Sequence, residues 1–290
     1  MAEQIYDLFK ESPKNWGIAE KRSVMRLPTL IRSSGTAAAV CAALVLTAGC
    51  GTDTVSDTES DTYGAAVGVG DGTARAYVLP DAGGNPSAIG LRLTADALDG
   101  LPDTMESYEL ELPADGSDTA IDHITVDWNP HGHDPAMFFG APHFDMHFYM
   151  IDDAAVAAID PGTPDYLALG TNYPAPQYVP QDYAPAGPPE MAIVPNMGMH
   201  WVDTTQALVP GEYDFTQILI NGTWDGRWTF IEPMMAIEWM RTKSPVQEDL
   251  KLPQSYQQSG YYPTTYSVSF DENSGEYVVE LGGMTMREAS

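Results

Sequence analysis

Cysteine is almost absent from this chain of 290 residues, which has only Cys41 and Cys50. Both lie in or directly after one apolar run near the amino terminus, so the body that follows contains no thiol. This distribution excludes disulfides and thiolate metal sites from the body. Any metal there must be held by nitrogen, by oxygen or by the sulfur of methionine.

Basic residues are also few. Residues 1–49 hold 4 acids and 6 bases, which leaves 37 acids and 7 bases after them from totals of 41 and 13. A net charge of about −30 on the body repels phosphate, so we exclude nucleic acid as a partner. We interpret the charge as a solvated acidic surface, with specific collection of cations by that surface as the alternative.

Long hydrophobic runs are also missing, apart from one that extends from Gly35 to Gly49. Basic residues precede it, and it ends in Leu46-Thr-Ala-Gly before Cys50, a pattern that resembles a bacterial lipobox. The run is shorter than the roughly 20 residues that span a bilayer as a helix. We therefore interpret residues 1–49 as a lipoprotein signal segment, with a short transmembrane anchor as the alternative. Lipid on Cys50 would anchor the protein to a membrane on the extracytoplasmic side of a bacterial cell.

The residues after Cys50 divide into a tether and one domain. Residues 50–70 comprise the lipidated cysteine and a polar segment rich in Ser, Thr and Asp, with little to bury. Residues 71–290 are long enough for one domain with a substantial core. Most of their periodic segments are short and alternate, which predicts a mainly β domain of sandwich or barrel type.

Turn signals place most of these elements. Hairpins are expected around Asp81–Pro86, Thr223–Gly226 and Asp271–Gly275, where Gly, Asn and Asp separate alternating segments. Two short helices are predicted, over residues 152–160 and 234–241. The stretch 161–195, rich in Pro and Tyr, is predicted to be a long ordered loop over the domain because its tyrosines offer apolar area to bury.

Histidine is absent outside residues 123–200, and four of the six histidines fall within residues 131–147. Imidazole is the commonest metal ligand, so this concentration indicates a site. If residues 143–150 form a strand, His143, Asp145, His147 and Tyr149 share one face, and the apolar residues between them face the core. Residues four apart on a strand are about 13 Å apart. One metal could then hardly bind both His143 and His147, whereas neighbours two apart could share one.

Further ligands are expected from other segments. His131-Gly132-His133 lies where a strand ends, while His200 and Glu232 lie beside apolar strands. We interpret His131 as an exposed loop residue and His123 as structural. A set of three imidazoles and one carboxylate with room for water would suit zinc, with iron or copper as alternatives. The candidate ligands are His133, His143, His147, His200 and Glu232, with Asp145 orienting an imidazole from behind.

Four functional hypotheses follow from these residues. The first is binding of one divalent metal, and the second is an enzyme that uses a metal-bound water on an unknown small substrate. The third is copper handling, because Met137, Met146, Met150 and three further methionines lie near the histidines in sequence. The fourth is a structural or assembly module whose histidines hydrogen-bond one another.

Several motifs together resemble a domain-of-unknown-function family of exported bacterial β-rich proteins. The structural representative of that family is a sigma-E-controlled, ring-forming homo-oligomer from a thermophile. The resemblance covers roughly residues 71–288 and implies a β-rich fold and homo-oligomerisation, with no established activity. The matching pieces are Asp127-Trp128-Asn129-Pro130, Gly132-His133-x-Pro135, Pro142-His143-Phe144-Asp145-x-His147-Phe148-Tyr149, Gly198-x-His200-Trp201-x-Asp203, Gly226-x-x-x-Phe230-x-Glu232-Pro233-Met234 and Gly260-Tyr261-Tyr262-Pro263-Thr264-x-Tyr266.

Overall fold

A computed structural model describes residues 62–113 and 118–290 of the chain. The predicted signal segment 1–49, the proposed lipid attachment at Cys50 and most of the predicted tether lie outside the described residues. Residues 62–70, which the sequence analysis assigned to the tether, include a short strand in which Val69 is fully buried. The folded domain therefore includes residues before position 71.

The described residues form a mainly β structure, as predicted. The strands are β1 Val67–Val69, β2 Gly72–Pro80, β3 Pro86–Thr94, β4 Glu106–Leu110, β5 His123–Asn129, β6 His143–Tyr149, β7 Tyr183–Pro185, β8 Ile193–Val194, β9 Gly198–Asp203, β10 Gln217–Trp224, β11 Arg227–Ala236, β12 Val246–Asp249, β13 Gly260–Tyr262, β14 Thr265–Asp271, β15 Glu276–Gly282 and β16 Thr285–Arg287. The helices are α1 Ala136–Phe139, α2 Asp153–Ala158, α3 Tyr166–Thr171, α4 Pro189–Ala192 and α5 Ile237–Arg241, with short 3-10 turns at Ala95–Leu98 and Pro176–Tyr178.

Two antiparallel sheets face each other across one core. The first has the strand order β1-β2-β3-β15-β14-β12, and the second has the order β4-β5-β6-β11-β10-β9-β7 with β8 beside β9. Neither path closes on itself among the described residues, so the architecture is an open sandwich rather than a barrel. Alternate residues of both sheets meet in the core, for example Leu91 of β3 with Val126 of β5 and Met146 of β6 in one apolar cluster.

The expected hairpins are present. β2 pairs with β3, β10 with β11, and β14 with β15, each around the turn that the sequence indicated. Asp225 and Gly226 both have positive φ angles, which explains why Asp-Gly closes the β10–β11 hairpin. The three hairpins thus lie where the turn residues placed them.

The predicted helices need one correction. The helix over residues 152–160 is present as α2, with the side chain of Asp152 accepting a hydrogen bond from the backbone of Ala155. The helix predicted from residue 234 begins only at Ile237, because residues 234–236 continue β11 and pair with β10 or β6 on its two sides. Pairing with two neighbouring strands outweighs local helix propensity there.

The stretch 161–195 is ordered and lies over the second sheet, as expected. It is not a plain loop, because it contains α3, α4, β7 and β8 as well as a 3-10 turn. Its side chains pack with Met199 and Trp201 of β9 in a separate apolar cluster. The number of short helices therefore exceeds the two that were predicted, since five are present in the described residues.

No helix in the described ranges is both long enough and apolar enough to cross a membrane.

The centre of the second sheet is buried on both faces. β6 lies between β5 and β11, and all seven of its residues are buried. Phe144, Met146 and Phe148 point into the core between the sheets. The polar residues that alternate with them point to the other face, which α1, α4 and the loops beside them cover. This arrangement creates a buried polar layer outside the main core.

The division of β6 into two faces can be tested by substitution in the core. We expect Met146→Ala to lower the free energy of unfolding by about 2–5 kcal/mol, because the fully buried side chain leaves a cavity. Met137→Ala should change it by less than about 0.5 kcal/mol, because that side chain is 46% exposed. Urea denaturation of the purified protein measures both values. Equal costs for the two variants would contradict the assignment of Met146 to the core.

Candidate metal centre

One face of β6 provides three of the predicted site residues. His143, Asp145 and His147 alternate along this strand and are buried. The register with β11 places Ile231 opposite Phe148 and Met234 opposite Asp145, which brings Glu232 level with His147. β5 lies on the other side of β6 and places Asp127 opposite Asp145. Carboxylates from both neighbouring strands thus face the histidines of β6.

The first group consists of His133, His143 and Asp145. Nε2 of His133 lies 3.3 Å from Oδ2 of Asp145, and Nε2 of His143 lies 3.0 Å from Oδ1. The two imidazole rings meet edge to face with centroids 4.8 Å apart. One ligand atom from each residue lies within 4.8 Å of the others.

The loop that brings His133 to this group depends on a glycine. Gly132 has a φ of 63°, and a Cβ atom there would lie 2.1 Å from the carbonyl oxygen of Phe139. The chain can therefore fold back so that the amide of His133 donates to this same oxygen. His131, on the other side of the glycine, points outward with a side chain that is 72% exposed.

The second group consists of His147, His200 and Glu232, which come from β6, β9 and β11. Nε2 of His147 lies 3.4 Å from Oε1 of Glu232, and Nε2 of His200 lies 3.7 Å from Oε2. The ring of Phe230 packs edge-on against both imidazoles, with centroid distances of 4.8 Å and 5.2 Å. That ring fits because β10 has Gly222 beneath it, where a Cβ atom would lie 2.0 Å from a ring carbon of Phe230.

Backbone carbonyl groups fix the orientation of three imidazoles. Nδ1 of His143 lies 2.7 Å from the carbonyl oxygen of Ala141, and Nδ1 of His133 lies 2.9 Å from that of Asp134. Nδ1 of His200 lies 3.2 Å from two carbonyl oxygens. A carbonyl oxygen can only accept, so each Nδ1 carries the proton and donates it. The remaining nitrogen, Nε2, then faces a carboxylate in every case.

The fourth imidazole is oriented by a carboxylate. Nδ1 of His147 lies 2.9 Å from Oδ2 of Asp127, which also accepts a hydrogen bond from the hydroxyl of Thr125. In carboxylate–histidine–metal triads a carboxylate likewise lies behind the imidazole and leaves its other nitrogen to face the metal. Asn129 plays a similar part in the first group, where its amide donates to Asp145 at 2.8 Å.

The separations between these atoms fit a small cation. Ligand atoms around a tetrahedral zinc, with bonds of about 2.0–2.2 Å, lie roughly 3.3–3.5 Å apart. The nitrogen–oxygen distances within the two groups are 3.0, 3.3, 3.4 and 3.7 Å. Nε2 of His143, Oδ1 of Asp145, Nε2 of His147 and Oε2 of Glu232 are all buried without a hydrogen-bond partner. A cation between the facing atoms would satisfy them.

Charges inside the two groups shift the pKa values strongly. Burial opposes the charged form of His133, but Asp145 outweighs it and raises the pKa of the imidazole to about 9. Burial also disfavours charge on His147, yet Glu232 and Asp127 raise its pKa to about 9. Burial, helped by the charge of His147, lowers the pKa of His200 to about 4.

The two carboxyl groups shift in opposite directions. Burial raises the pKa of Glu232 to about 8 against the opposing effect of His147. For Asp145, burial acts upward but the imidazoles of His143 and His133 outweigh it, so that its pKa lies well below the usual value. Without a metal, protons on the imidazoles would therefore balance the buried carboxylates.

The structure brings all the predicted site residues into one layer but divides them. His143 and His147 belong to different groups, as the distance between residues four apart on a strand indicated. The expected set of three imidazoles and one carboxylate is instead two sets of two imidazoles and one carboxylate. Asp145 lies between the Nε2 atoms of two histidines, in the position of a ligand rather than behind one.

His123 is buried, stacks on Tyr149 and pairs with Asp122 and Asp153, which agrees with a structural role. Asp127 and Asn129 were missed as supporting residues. Their signal was the alternation of polar residues along β5, which places both on the face that meets the histidines. Met146, invoked for copper, points into the core and away from the two groups.

Comparison with known proteins identifies a similar family but no activity. Residues 81–128 match a family model described as TTHB210-like, hypothetical protein TTHB210. The matched segment ends in β5 with Asp127 and Trp128 and precedes all of the predicted ligands. Neither a curated protein nor a solved structure matches the chain. The similarity is thus to a family of unknown function.

The proton balance predicts how the stability of the metal-free protein depends on pH. His133 and His147 have a pKa of about 9 in the fold against 6.5 otherwise, so their contribution is complete below pH 6.5 and is lost as the pH rises through 9. Glu232, with a raised pKa of about 8, acts in the same direction. His200, with a lowered pKa, costs stability only below pH 6.5.

We therefore expect the free energy of unfolding to fall between pH 6.5 and pH 9 in the presence of a chelator. Urea denaturation at several pH values measures this slope, and His147→Gln should reduce it. His131→Gln, at an exposed position, serves as the control. Stability that stays constant or rises over this range would show that the imidazoles do not hold these protons.

Proposed function

We propose that this protein is an exported, lipid-anchored binder of a divalent metal, with zinc as the preferred ion. The observation that carries the proposal is the set of facing acceptor atoms. The Nδ1 atoms of His133, His143 and His200 are committed to carbonyl groups, which turns their Nε2 atoms towards Asp145 and Glu232. Two acceptors at such distances repel each other unless a cation lies between them.

Either a proton or a metal ion can be that cation, and the shape of the groups favours a metal. A proton satisfies one pair of atoms at a time, whereas each group places three ligand atoms within 4.8 Å of one another. Two imidazoles and one carboxylate are a ligand set that zinc uses in proteins, with a fourth position left for water. The absence of cysteine from the body favours ions that accept nitrogen and oxygen over those that need sulfur.

The rival proposal is a hydrogen-bonded histidine cluster without metal. It explains the raised pKa values of His133 and His147. It does not explain why carbonyl groups hold the Nδ1 atoms of three histidines or why the carboxylate of Glu232 is buried, since a hydrophobic layer would be more stable. Metal binding accounts for the anchoring and the carboxylate together.

Metal content tests the proposal directly. We expect the purified protein, loaded with zinc and then dialysed, to retain one zinc ion per chain if one group binds and two if both groups bind. His143→Gln should remove binding in the first group, and His200→Gln should remove it in the second. His131→Gln is the matched control, because it removes an exposed imidazole and should leave the content unchanged. Inductively coupled plasma mass spectrometry measures the content.

A zinc content near zero in the unsubstituted protein would refute metal binding and leave the hydrogen-bonded cluster. An equal content in all three variants would place the zinc elsewhere on the acidic surface. Circular dichroism of each variant shows that the fold persists.

The proposed membrane anchor rests on the sequence around Cys50 alone. We expect the full chain to incorporate labelled palmitate when it is expressed in a bacterium with a lipoprotein pathway. Cys50→Ser should abolish the label, whereas Cys41→Ser, within the segment that is cleaved off, should keep it. Label that persists in Cys50→Ser would overturn the assignment of the lipid to this residue.

A further inference from the structure

A second site lies on the other side of the β10–β11 hairpin. A groove is bounded there by the hairpin and by the segment that follows β12. Asn221 and Ile231, which pair across the hairpin, line this groove. Their neighbours Gly222 and Glu232 belong to the opposite face, which carries the metal groups. The groove and the metal centre therefore share two strands but not a surface.

The groove has flat, preformed walls. Four aromatic residues line it, namely Tyr183, Trp228, Tyr256 and Tyr262. Nε1 of Trp228 donates to the carbonyl oxygen of Tyr178 at 2.5 Å, and the hydroxyl of Tyr262 donates to that of Gln258 at 3.0 Å. Since these contacts fix two of the four rings without a ligand, binding would cost less ordering of side chains there.

The charge of the lining is opposite to that of the protein. The chain has 41 acidic residues, yet no acidic side chain in the described ranges lines the groove, whereas Arg227 and Lys251 do. The ammonium group of Lys251 is already held by Asp182 and Asp203. Arg227 has no ion pair with the residues that the structure describes, although Arg75, Arg92 and Arg241 all contact carboxylates.

One polar side chain lies among the apolar residues of the groove. Asn221 lines it and is only 7% exposed. Asn221 thus offers a donor and an acceptor between apolar walls.

We propose that this groove binds a small organic acid with a flat apolar body. The aromatic rings would cover the body, and the amide of Asn221 would bond a polar atom of it. The guanidinium of Arg227, at the exposed end of the hairpin, would pair with the carboxylate through two parallel hydrogen bonds. The acidic surface does not prevent this, because salt screens its charges beyond about 8–10 Å.

Two fluorescent probes with the same ring system test the proposal. Anilinonaphthalene sulfonate carries a negative charge, and phenylnaphthylamine does not. We expect saturable binding of one anilinonaphthalene sulfonate per chain in detergent-free buffer, at least tenfold tighter than binding of phenylnaphthylamine. Naphthoate should displace the bound probe, whereas naphthalene methanol should displace it at least tenfold less well.

Substitution of Arg227 separates the contribution of charge to probe binding from the contribution of apolar contact. Arg227→Gln should weaken binding of the sulfonate at least tenfold and leave phenylnaphthylamine unchanged. Arg75→Gln, which removes an arginine of the other sheet, is the matched control and should change neither. Asn221→Leu should weaken both probes, because each has an amine in its ring system that can bond the amide of Asn221.

Three outcomes would overturn the proposal. The first is that neither probe binds, and the second is that the two probes bind with equal affinity. The third is that Arg227→Gln binds both probes as tightly as the unsubstituted protein does. Equal affinities would indicate a neutral ligand or an apolar surface without selectivity for acids. Metal removal with a chelator should not alter probe binding, so failure here and failure of the proposed metal site are distinguishable.

Discussion

Acceptor atoms that face one another in a buried layer are the constraint on which the site depends. Nε2 of His143 and Oδ1 of Asp145 lie 3.0 Å apart, and both are excluded from water. Neither can move away, because a carbonyl group holds the far side of His143 and Asn129 holds the other oxygen of Asp145. Positive charge inside the layer stabilises these carboxylates, and for the same reason the pKa values of His133 and His147 are raised to about 9.

The fold supplies this layer by giving the second sheet two buried faces. One face of β6 contributes to the core between the sheets, so its polar face could have been left to solvent. Instead, α1, the stretch 161–195 and the aromatic residues around Phe215 cover it. Covering a polar face costs free energy unless its groups find partners. The stretch 161–195 therefore excludes water from the site in addition to packing against the sheet.

The sequence predicted the parts of this site that depend on one strand. Alternation along β6 assigned His143, Asp145 and His147 to one face, and the strand rise indicated that the two histidines cannot share one ion. It could not predict which strands lie beside β6. That choice brings Asp127 behind His147 and Glu232 in front of it, although these residues lie 20 and 85 positions from His147 in the sequence.

The difference between local signals and contacts of distant segments also explains which parts of the fold were predicted wrongly. Local signals located the hairpins at residues 81–86, 223–226 and 271–275 and the helix α2, because turn chemistry and capping act over a few residues. Residues 234–236 remain in β11 because strands on both sides pair with them, which no local pattern shows. The apolar groove behind the hairpin was likewise invisible, since its lining comes from segments as distant as Ala120 and Pro263.

X-ray absorption at the zinc edge of the loaded protein would show whether these groups hold a metal. We expect a shell of nitrogen and oxygen atoms at about 2.0–2.2 Å, with outer scattering from two imidazole rings for each ion and no sulfur. A spectrum of hydrated zinc without imidazole scattering would show that the facing histidines and carboxylates hold protons and not a metal.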